Sequence, residues 1–196
     1  MAMIQEFDSQ REKEKYFRSL SPEQKINAFT EMIWESEHIV FLGGAGVSTE
    51  SGIPDFRSKD GLHQKAGSKK VSEIHGSALR SYCVSCRTDY GEDFIFVNTE
   101  EVPHCPGCGK MVRPDVTLYG EFLPQRAYEE AIALIRYADL LIIGGTSLEV
   151  GSAAQLAHMY HGKYMVIINK GKTKMEGKAD LVFHDSIGKV MNSLDW

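Results

Sequence analysis

Two short apolar runs in this chain each end in a pair of glycines. Residues 38–42 read HIVFL and lead into Gly43-Gly44, and residues 140–143 read LLII and lead into Gly144-Gly145. Continuous apolar runs of this length are typical of strands buried on both faces of a parallel sheet, and glycine allows a tight turn where such a strand ends. The two runs therefore predict parallel strands followed by tight turns.

Helical patterns separate these strands. Residues 21–24 read SPEQ, which combines a serine cap, a proline at the first helical position and a glutamine in the capping-box position. One apolar face follows at helical spacing, formed by Ile26, Phe29 and Ile33. The segment before Ser21 is charged and aperiodic, which predicts either a loose helix or a frayed tail.

The same alternation continues to the end of the chain. Apolar residues at helical spacing follow Pro124, and the remaining pattern predicts helices over 153–161 and 187–194 with strands over 164–168 and 181–183. Strands that alternate with helices indicate an α/β fold with a doubly wound parallel, Rossmann-like sheet. Ligands of such sheets bind at the carboxyl ends of the strands.

Length and composition narrow the classes of function. The chain has 196 residues, enough for one main domain. Its formal charge of −5 is spread along the chain without a dense Lys/Arg cluster, so we do not expect nucleic acid as a partner. It contains no apolar run long enough to cross a bilayer, and residues 1–15 mix charges of both signs, unlike a signal peptide. We therefore expect a cytoplasmic protein that does not act in a membrane.

Four cysteines form two close pairs with eighteen residues between them: Cys83, Cys86, Cys105 and Cys108. Two C-x2-C pairs at this separation are typical of a zinc ribbon, in which the pairs present four thiolates to one tetrahedral ion. Four cysteine ligands leave no open position for water, so the predicted zinc is structural. A redox role for either pair is the weaker alternative.

The turn after the first strand is rich in small residues. Gly44, Ala45 and Gly46 allow the backbone to approach a pyrophosphate, although Thr49 stands where a dinucleotide fingerprint has its third glycine. The full stretch 44–57, GAGVSTESGIPDFR, resembles the signature of the sirtuins, the NAD-dependent protein-lysine deacylases. The resemblance implies NAD as co-substrate, released nicotinamide, and transfer of the acyl group of acyl-lysine to ADP-ribose.

Further motifs follow in the order of that family. IHG at 74–76 resembles the element with the catalytic histidine, LYGE at 118–121 the substrate-strand motif, and GTS at 145–147 with Asn169 the contacts on the adenosine side.

The resemblance implies a role for each matching residue. His75 is the general base that acts on a ribose hydroxyl, and an imidazole with an ordinary pKa near ~6.5 suits that task. An acyl-lysine protein or peptide pairs as an added strand along Val116, Thr117, Leu118 and Tyr119. NAD is bound by Gly44, Ala45, Gly46, Thr49, Asp55, Phe56, Arg57, Asp60, Gly145, Thr146, Ser147, Asn169, Lys170 and Ile187. The same resemblance implies one sirtuin-type catalytic domain over residues 1–196, with the zinc-ribbon module inserted at about 78–112.

The chain departs from the family pattern between Arg57 and His63. The family normally has a cofactor loop, a helical module and a strand ending in Thr-Gln-Asn-x-Asp-Gly-Leu-His at this point, whereas here only Asp60-Gly61-Leu62-His63 stands after Phe-Arg-Ser. A deletion from one Asp-Gly-Leu triplet to a second would leave this junction, and Asp60 then belongs to either side. A natural shortened variant, an engineered deletion and residues omitted from the sequence are three open origins.

Two rival functions accompany the deacylase hypothesis. The first is a non-catalytic module that binds NAD or ADP-ribose and keeps the structural zinc but has lost turnover through the internal deletion. The second, a zinc-ribbon protein that binds nucleic acid, is disfavoured because the predicted ribbon carries acidic residues such as Asp89, Glu92 and Asp93.

Overall fold

The computed structural model describes residues 4, 7–44, 46, 70–91, 93–96, 102–149 and 151–195. In chain order its elements are α1 (Gln10–Ser19), α2 (Pro22–Glu35), β1 (Ile39–Gly43), β2 (Gly76–Cys83), β3 (Asp89–Gly91), α3 (Asp93–Phe96), β4 (Val112–Val116), α4 (Gln125–Tyr137), β5 (Leu140–Gly144), α5 (Ser152–His158), β6 (Tyr164–Ile168), a 3-10 turn (Glu176–Lys178), β7 (Leu181–Phe183) and α6 (Ile187–Asn192).

The chain divides into two compact units. The first comprises Met1–Gly52 and Ile132–Trp196, and the second comprises Ile53–Ala131. The module predicted at about residues 78–112 falls within the second unit. The organisation into one catalytic domain with an insertion stays a prediction.

A four-stranded parallel sheet forms the first unit, in the order β1-β5-β6-β7. Residues of β5 and β6 are buried along their whole length, as is typical of the central strands of a parallel sheet. All three neighbouring strand pairs are parallel, so their carboxyl ends share one edge. This confirms the predicted parallel, Rossmann-like sheet.

The two N-terminal helices pack against this sheet. Ser21 caps α2 with the predicted capping box, since its hydroxyl accepts from the Gln24 amide and the Gln24 side chain accepts from the Ser21 amide. The charged segment before Ser21 was predicted to be either a loose helix or a frayed tail, and the structure shows a helix. This helix, α1, begins after Ser9, whose side chain caps it, and Phe17 is its buried residue. Phe17 and Phe29 are almost completely buried in the core under the sheet. None of the helices among the described residues is long and apolar enough to cross a membrane.

A three-stranded antiparallel sheet, in the order β3-β2-β4, lies in the second unit together with α3, the first residues of α4 and the loops around them. Its small core contains Cys83, Cys105 and Val112, with Tyr90 and Phe94 packed against them. Such a core buries little apolar surface, and units of this kind usually need a further source of stability such as a metal ion.

Candidate functional site

The carboxyl edge of the parallel sheet brings together four of the residues predicted to bind NAD. The Gly44 amide donates to the Gly144 carbonyl at 2.9 Å, and the Gly46 amide donates to the Gly145 carbonyl at 2.9 Å. A Cβ atom on Gly44 would lie 2.5 Å from the Gly145 oxygen and 2.5 Å from Thr146 Cβ. The glycines are therefore required for close packing of the two turns, and these two amides are engaged within the protein.

The turn after β5 is held in place by hydrogen bonds within the protein. Gly145 has φ +62° and donates to the Ile168 carbonyl at 3.2 Å, which ties this turn to the end of β6. Thr146 Oγ1 accepts from the Leu148 amide at 3.4 Å, while Ser147 is exposed. Leu148 is buried with φ +51°, an uncommon conformation for a branched side chain.

Three further predicted cofactor residues lie along the same sheet. Asn169 directly follows β6, its amide donates to the Phe183 carbonyl at 3.0 Å, and its side chain donates to the Gly171 carbonyl at 2.8 Å. Lys170 is exposed beside it. A Cβ on Gly144 would lie 3.0 Å from the Ile187 Cδ1 atom, which places Ile187 against the end of β5. The remaining predicted NAD residues lie outside the described part of the chain: Ala45, Thr49, Asp55, Phe56, Arg57 and Asp60.

His75 lies in the second unit, immediately before β2. Its carbonyl accepts a hydrogen bond from the Thr117 amide at 2.9 Å, and the next residue, Gly76, pairs with Val116 across β2 and β4. The fold therefore brings the predicted base and the predicted peptide-binding residues together, at adjacent ends of the paired strands β2 and β4.

The imidazole of His75 is suited to accept a proton. The residue is exposed overall, yet the surrounding protein partly desolvates the ring, and this desolvation lowers the pKa of His75 below its ordinary value of 6.5. The ring is consequently neutral at neutral pH, which is the form a general base needs.

The segment after β4 presents apolar side chains to solvent. Leu118 is 51% exposed, and Tyr119 and Phe122 are fully exposed. Large exposed apolar groups so close together are typical of a surface that binds a partner. The sequence motifs predicted a binding role for Leu118 and Tyr119 in this segment but not for Phe122.

An ion pair that sequence analysis missed fixes the shape of this segment. The two terminal nitrogens of the Arg113 guanidinium donate to the Glu121 carboxylate, and Nη2 also donates to the Val116 carbonyl at 2.8 Å. Glu121 in turn accepts from the Leu118 amide at 2.9 Å. Arg113 and the Leu118 amide together hold the pKa of Glu121 at about 2. Glu121 is part of the LYGE motif, but only the register of β4 and the turn after it bring Arg113 to it, so the sequence did not predict the pair.

The four cysteines converge as predicted. Their sulfur atoms all lie within 4.8 Å of one another, with Cys83 and Cys105 buried and Cys86 and Cys108 exposed. Sulfur atoms of different pairs lie 3.4 Å (Cys83 to Cys108) and 3.6 Å (Cys86 to Cys105) apart, far beyond a disulfide bond of about 2.05 Å. A tetrahedral zinc ion with Zn–S bonds of about 2.3 Å requires sulfur separations of roughly 3.8 Å. The cluster therefore fits a four-thiolate zinc ion.

Two hydroxyl groups lie beside these sulfurs. Tyr90 contacts Cys105 Sγ at 3.0 Å, and Thr88 contacts Cys86 Sγ at 3.1 Å. The hydrogen bond from Tyr90 is the largest of the interactions that lower the pKa of Cys105 to about 6. The cysteine spacing predicted the four ligands but neither of these neighbouring hydroxyl groups.

Comparison with known proteins decides the family. The Sir2 family matches residues 44–62 and 60–152. A NAD-dependent protein deacetylase of Clostridium perfringens is 41% identical over 242 residues, covering 88% of this chain and 99% of the relative. This chain belongs to the Sir2 family. The sirtuin resemblance read from residues 44–57 and the later motifs is thereby confirmed.

Other sirtuins agree with this assignment. A NAD-dependent protein deacetylase of Clostridium acetobutylicum is 34% identical and covers 87% of this chain and 98% of the relative. Among solved structures, Sir2Tm bound to a propionylated peptide is 32% identical with a TM-score of 0.75, covering 86% of this chain and 95% of that one. A Sir2 structure with a p53 peptide and NAD+ is 31% identical with a TM-score of 0.74, covering 85% and 96%.

The comparisons also bear on the junction between Arg57 and His63. The two segments that match the Sir2 family overlap at residues 60–62, the Asp-Gly-Leu triplet. The alignment with the Clostridium perfringens sirtuin spans 242 residues although this chain has 196, so that relative has residues inside the aligned region without a counterpart here. Both findings agree with the predicted junction between two Asp-Gly-Leu triplets, and its three possible origins stay open. The spacing of residues 57–63 itself lies outside the described part of the chain.

Proposed function

We propose that this chain carries the site and reaction of an NAD-dependent protein-lysine deacetylase, with His75 as the general base. The observation that carries this proposal is the hydrogen bond from the Thr117 amide to the His75 carbonyl. It joins the base to the segment 116–119, where the acyl-lysine peptide would add as a strand. Membership of the Sir2 family and the peptide-bound sirtuin structures support the assignment.

The first unit would hold NAD at the carboxyl edge of its sheet. Gly44, Gly46, Gly145 and Thr146 form the closely packed turns against which a dinucleotide fits. Ser147, Asn169, Lys170 and Ile187 would contact the adenosine side, and Ala45, Thr49, Asp55, Phe56, Arg57 and Asp60 are proposed from the family motif. When bound, NAD supplies the ribose that receives the acyl group as nicotinamide leaves.

His75 would accept a proton from a ribose hydroxyl, which is then able to attack the acyl carbon. The lowered pKa keeps the imidazole neutral before this step. The Arg113–Glu121 pair would hold the peptide-binding segment in shape, because it fixes both the Val116 carbonyl and the Leu118 amide. The four-cysteine zinc site would stabilise the second unit and take no part in the chemistry.

We infer that the protein acts in the bacterial cytoplasm. Its four cysteines are free thiols paired for metal binding, as is usual in a reducing compartment, and the similar deacetylases come from bacteria.

A single assay tests the function. Purified protein is incubated with NAD and an acetyl-lysine peptide, and release of nicotinamide and of deacetylated peptide is measured. Equal amounts of both products, lost in His75→Ala, are expected. Nicotinamide release that does not depend on the peptide would contradict the proposal.

One observation favours the rival function, a module that binds NAD or ADP-ribose without turnover. The Clostridium perfringens sirtuin has residues within the aligned region that this chain lacks. We expect the Thr-Gln-Asn strand of the family pattern to be among them. Calorimetric titration with ADP-ribose distinguishes the two. Binding without any product from the acetyl-lysine peptide identifies the module, whereas product formation identifies the enzyme.

A further inference from the structure

Tyr90 has a fixed position beside the four-cysteine cluster. It lies in β3 opposite Ser81, whose hydroxyl donates to the Tyr90 carbonyl at 3.2 Å. Its ring stacks on Phe94 with the centroids 4.2 Å apart. Backbone and ring are therefore both held, and the hydroxyl oxygen lies 3.0 Å from Cys105 Sγ.

The direction of this hydrogen bond follows from the chemistry of the cluster. A metal-bound cysteine is a thiolate without a proton, so its sulfur only accepts. The phenol of Tyr90 must then donate. Four thiolates carry more negative charge than one divalent ion neutralises, and a donor to one of them reduces that excess.

We propose that Tyr90 is a positioning residue for the metal, and that its hydroxyl donates to the Cys105 thiolate and slows release of the ion. Cys105 is only 2% exposed, so water does not replace the missing donor when the hydroxyl is removed. Thr88 makes a similar contact of 3.1 Å with Cys86. Cys86 is exposed, however, so water competes there and the contribution of Thr88 is smaller.

The first test compares Tyr90→Phe with Tyr82→Phe. The Phe variant at position 90 keeps the ring and its stacking on Phe94 and loses only the hydroxyl. Tyr82 is a matched control, because it lies on the adjacent strand β2 opposite Asp89 and its ring contacts Arg87 at 4.9 Å rather than a cysteine.

Each zinc-loaded protein is mixed with excess chelator, and the released ion is followed with a zinc-sensitive dye. We expect release from Tyr90→Phe to be about tenfold faster than from wild type, because losing a hydrogen bond to a metal ligand typically lowers metal affinity by about 10- to 100-fold. Tyr82→Phe should release zinc at the wild-type rate. Equal rates for Tyr90→Phe and wild type would overturn the proposal.

A second measurement separates this role from simple packing. In cobalt-substituted protein, a thiolate that loses a hydrogen bond becomes more electron-rich, so the thiolate-to-cobalt charge-transfer band of Tyr90→Phe should move to lower energy. Faster release with an unmoved band would assign Tyr90 a packing role and overturn the proposal.

If Tyr90→Phe does not fold, 3-fluorotyrosine at position 90 provides the test. It keeps the shape of the side chain and makes the hydroxyl a stronger donor, so release should slow and the band should move to higher energy. A band at the wild-type position would contradict the proposed hydrogen bond.

Discussion

The Thr117 amide donates to the His75 carbonyl at 2.9 Å, and this bond continues the ladder in which Gly76 pairs with Val116. The proposed base and the proposed peptide strand therefore share one backbone ladder. A change that disturbs the pairing of β2 with β4 should displace both functions at once.

Gly76→Ala should break that ladder. Gly76 has φ +73°, and a Cβ atom there would lie 2.0 Å from the Asp115 carbonyl oxygen, so alanine is both strained and in collision with backbone. The strained conformation alone costs about 1–3 kcal/mol, and the collision adds to it. We expect a lower midpoint of urea unfolding measured by circular dichroism.

Gly91→Ala is the matched control for this substitution. Gly91 lies in β3 of the same sheet, and an added Cβ would meet nothing within 4 Å. It should leave the midpoint at or slightly above the wild-type value. Equal midpoints for the two variants would show that the close contact at Gly76 does not constrain the fold.

Much of the fold was predictable because its signals are local. The apolar runs placed β6 at 164–168 and β7 at 181–183, the bounds that the structure shows. The helix predicted over 153–161 instead ends at His158. The Tyr160 hydroxyl lies 2.6 Å from the Asp139 carbonyl oxygen, a contact between segments distant in the sequence that no local pattern shows.

Some residues of the candidate site could also be predicted from the sequence, and others could not. Cys83 and its three partners were predictable because metal ligands follow a spacing rule. Tyr90 and the Arg113–Glu121 pair were not, because strand register brings those side chains to their partners.

The proposed base should give the reaction a defined pH dependence. Desolvation lowers the pKa of His75 below its ordinary value of 6.5. As the pH is raised, kcat/KM should therefore rise to a plateau, and the midpoint of this rise should lie below pH 6.5. His75→Ala should lower the rate by ~10² to 10⁴, while His161→Ala, a change at another exposed histidine, should not. A midpoint above 6.5 in the wild type, or normal rates in His75→Ala, would exclude this assignment.

The Arg113–Glu121 pair should contribute to stability only when Glu121 is charged. The pKa of Glu121 is about 2 in the folded protein, below its ordinary 4.5, because Arg113 and the Leu118 amide favour the carboxylate. A lowered folded-state pKa stabilises the fold above the unfolded value, and this contribution is lost as the pH falls from about 4.5 towards 2. The difference in urea midpoint between wild type and Glu121→Gln should therefore be largest near neutral pH and shrink in acid.

Glu129→Gln is the control for that series. Glu129 is an exposed α4 carboxylate that accepts from Gln125 at 2.8 Å, and it loses the same charge on substitution. Because the variants are compared at the same pH, any acid-induced metal loss affects all of them alike. A difference for Glu121→Gln that stays constant between pH 7 and pH 3 would show that its charge is not responsible.

The cysteine cluster should hold one zinc ion per chain that is needed for folding. The small core around Cys83, Cys105 and Val112 is the only apolar core that surrounds the cluster in the described part of the second unit. Removing the ion would break the connection that zinc makes between the core residues Cys83 and Cys105. Chelation, or Cys83→Ser, should reduce the β-sheet signal in circular dichroism, whereas Val84→Ser at the exposed neighbouring position should not. Protein that is purified without zinc and is fully folded would contradict this prediction.

The junction at residues 60–62 should limit turnover. We expect the residues of the Clostridium perfringens sirtuin that have no counterpart in this chain to lie at this junction and to include the Thr-Gln-Asn strand of the family pattern. Inserting them there would restore that strand. Misplaced substrate contacts lower reaction rates about 10²-fold. The chimera should therefore release nicotinamide at least about 10²-fold faster than the parent chain. A flexible Gly/Ser insert of equal length should not increase the rate of nicotinamide release. An intact mass of 21.9 kDa verifies that the parent protein has the given sequence. If that parent already turns over at ~1 s⁻¹ or more with an acetyl-lysine peptide, the absent residues are not required for catalysis.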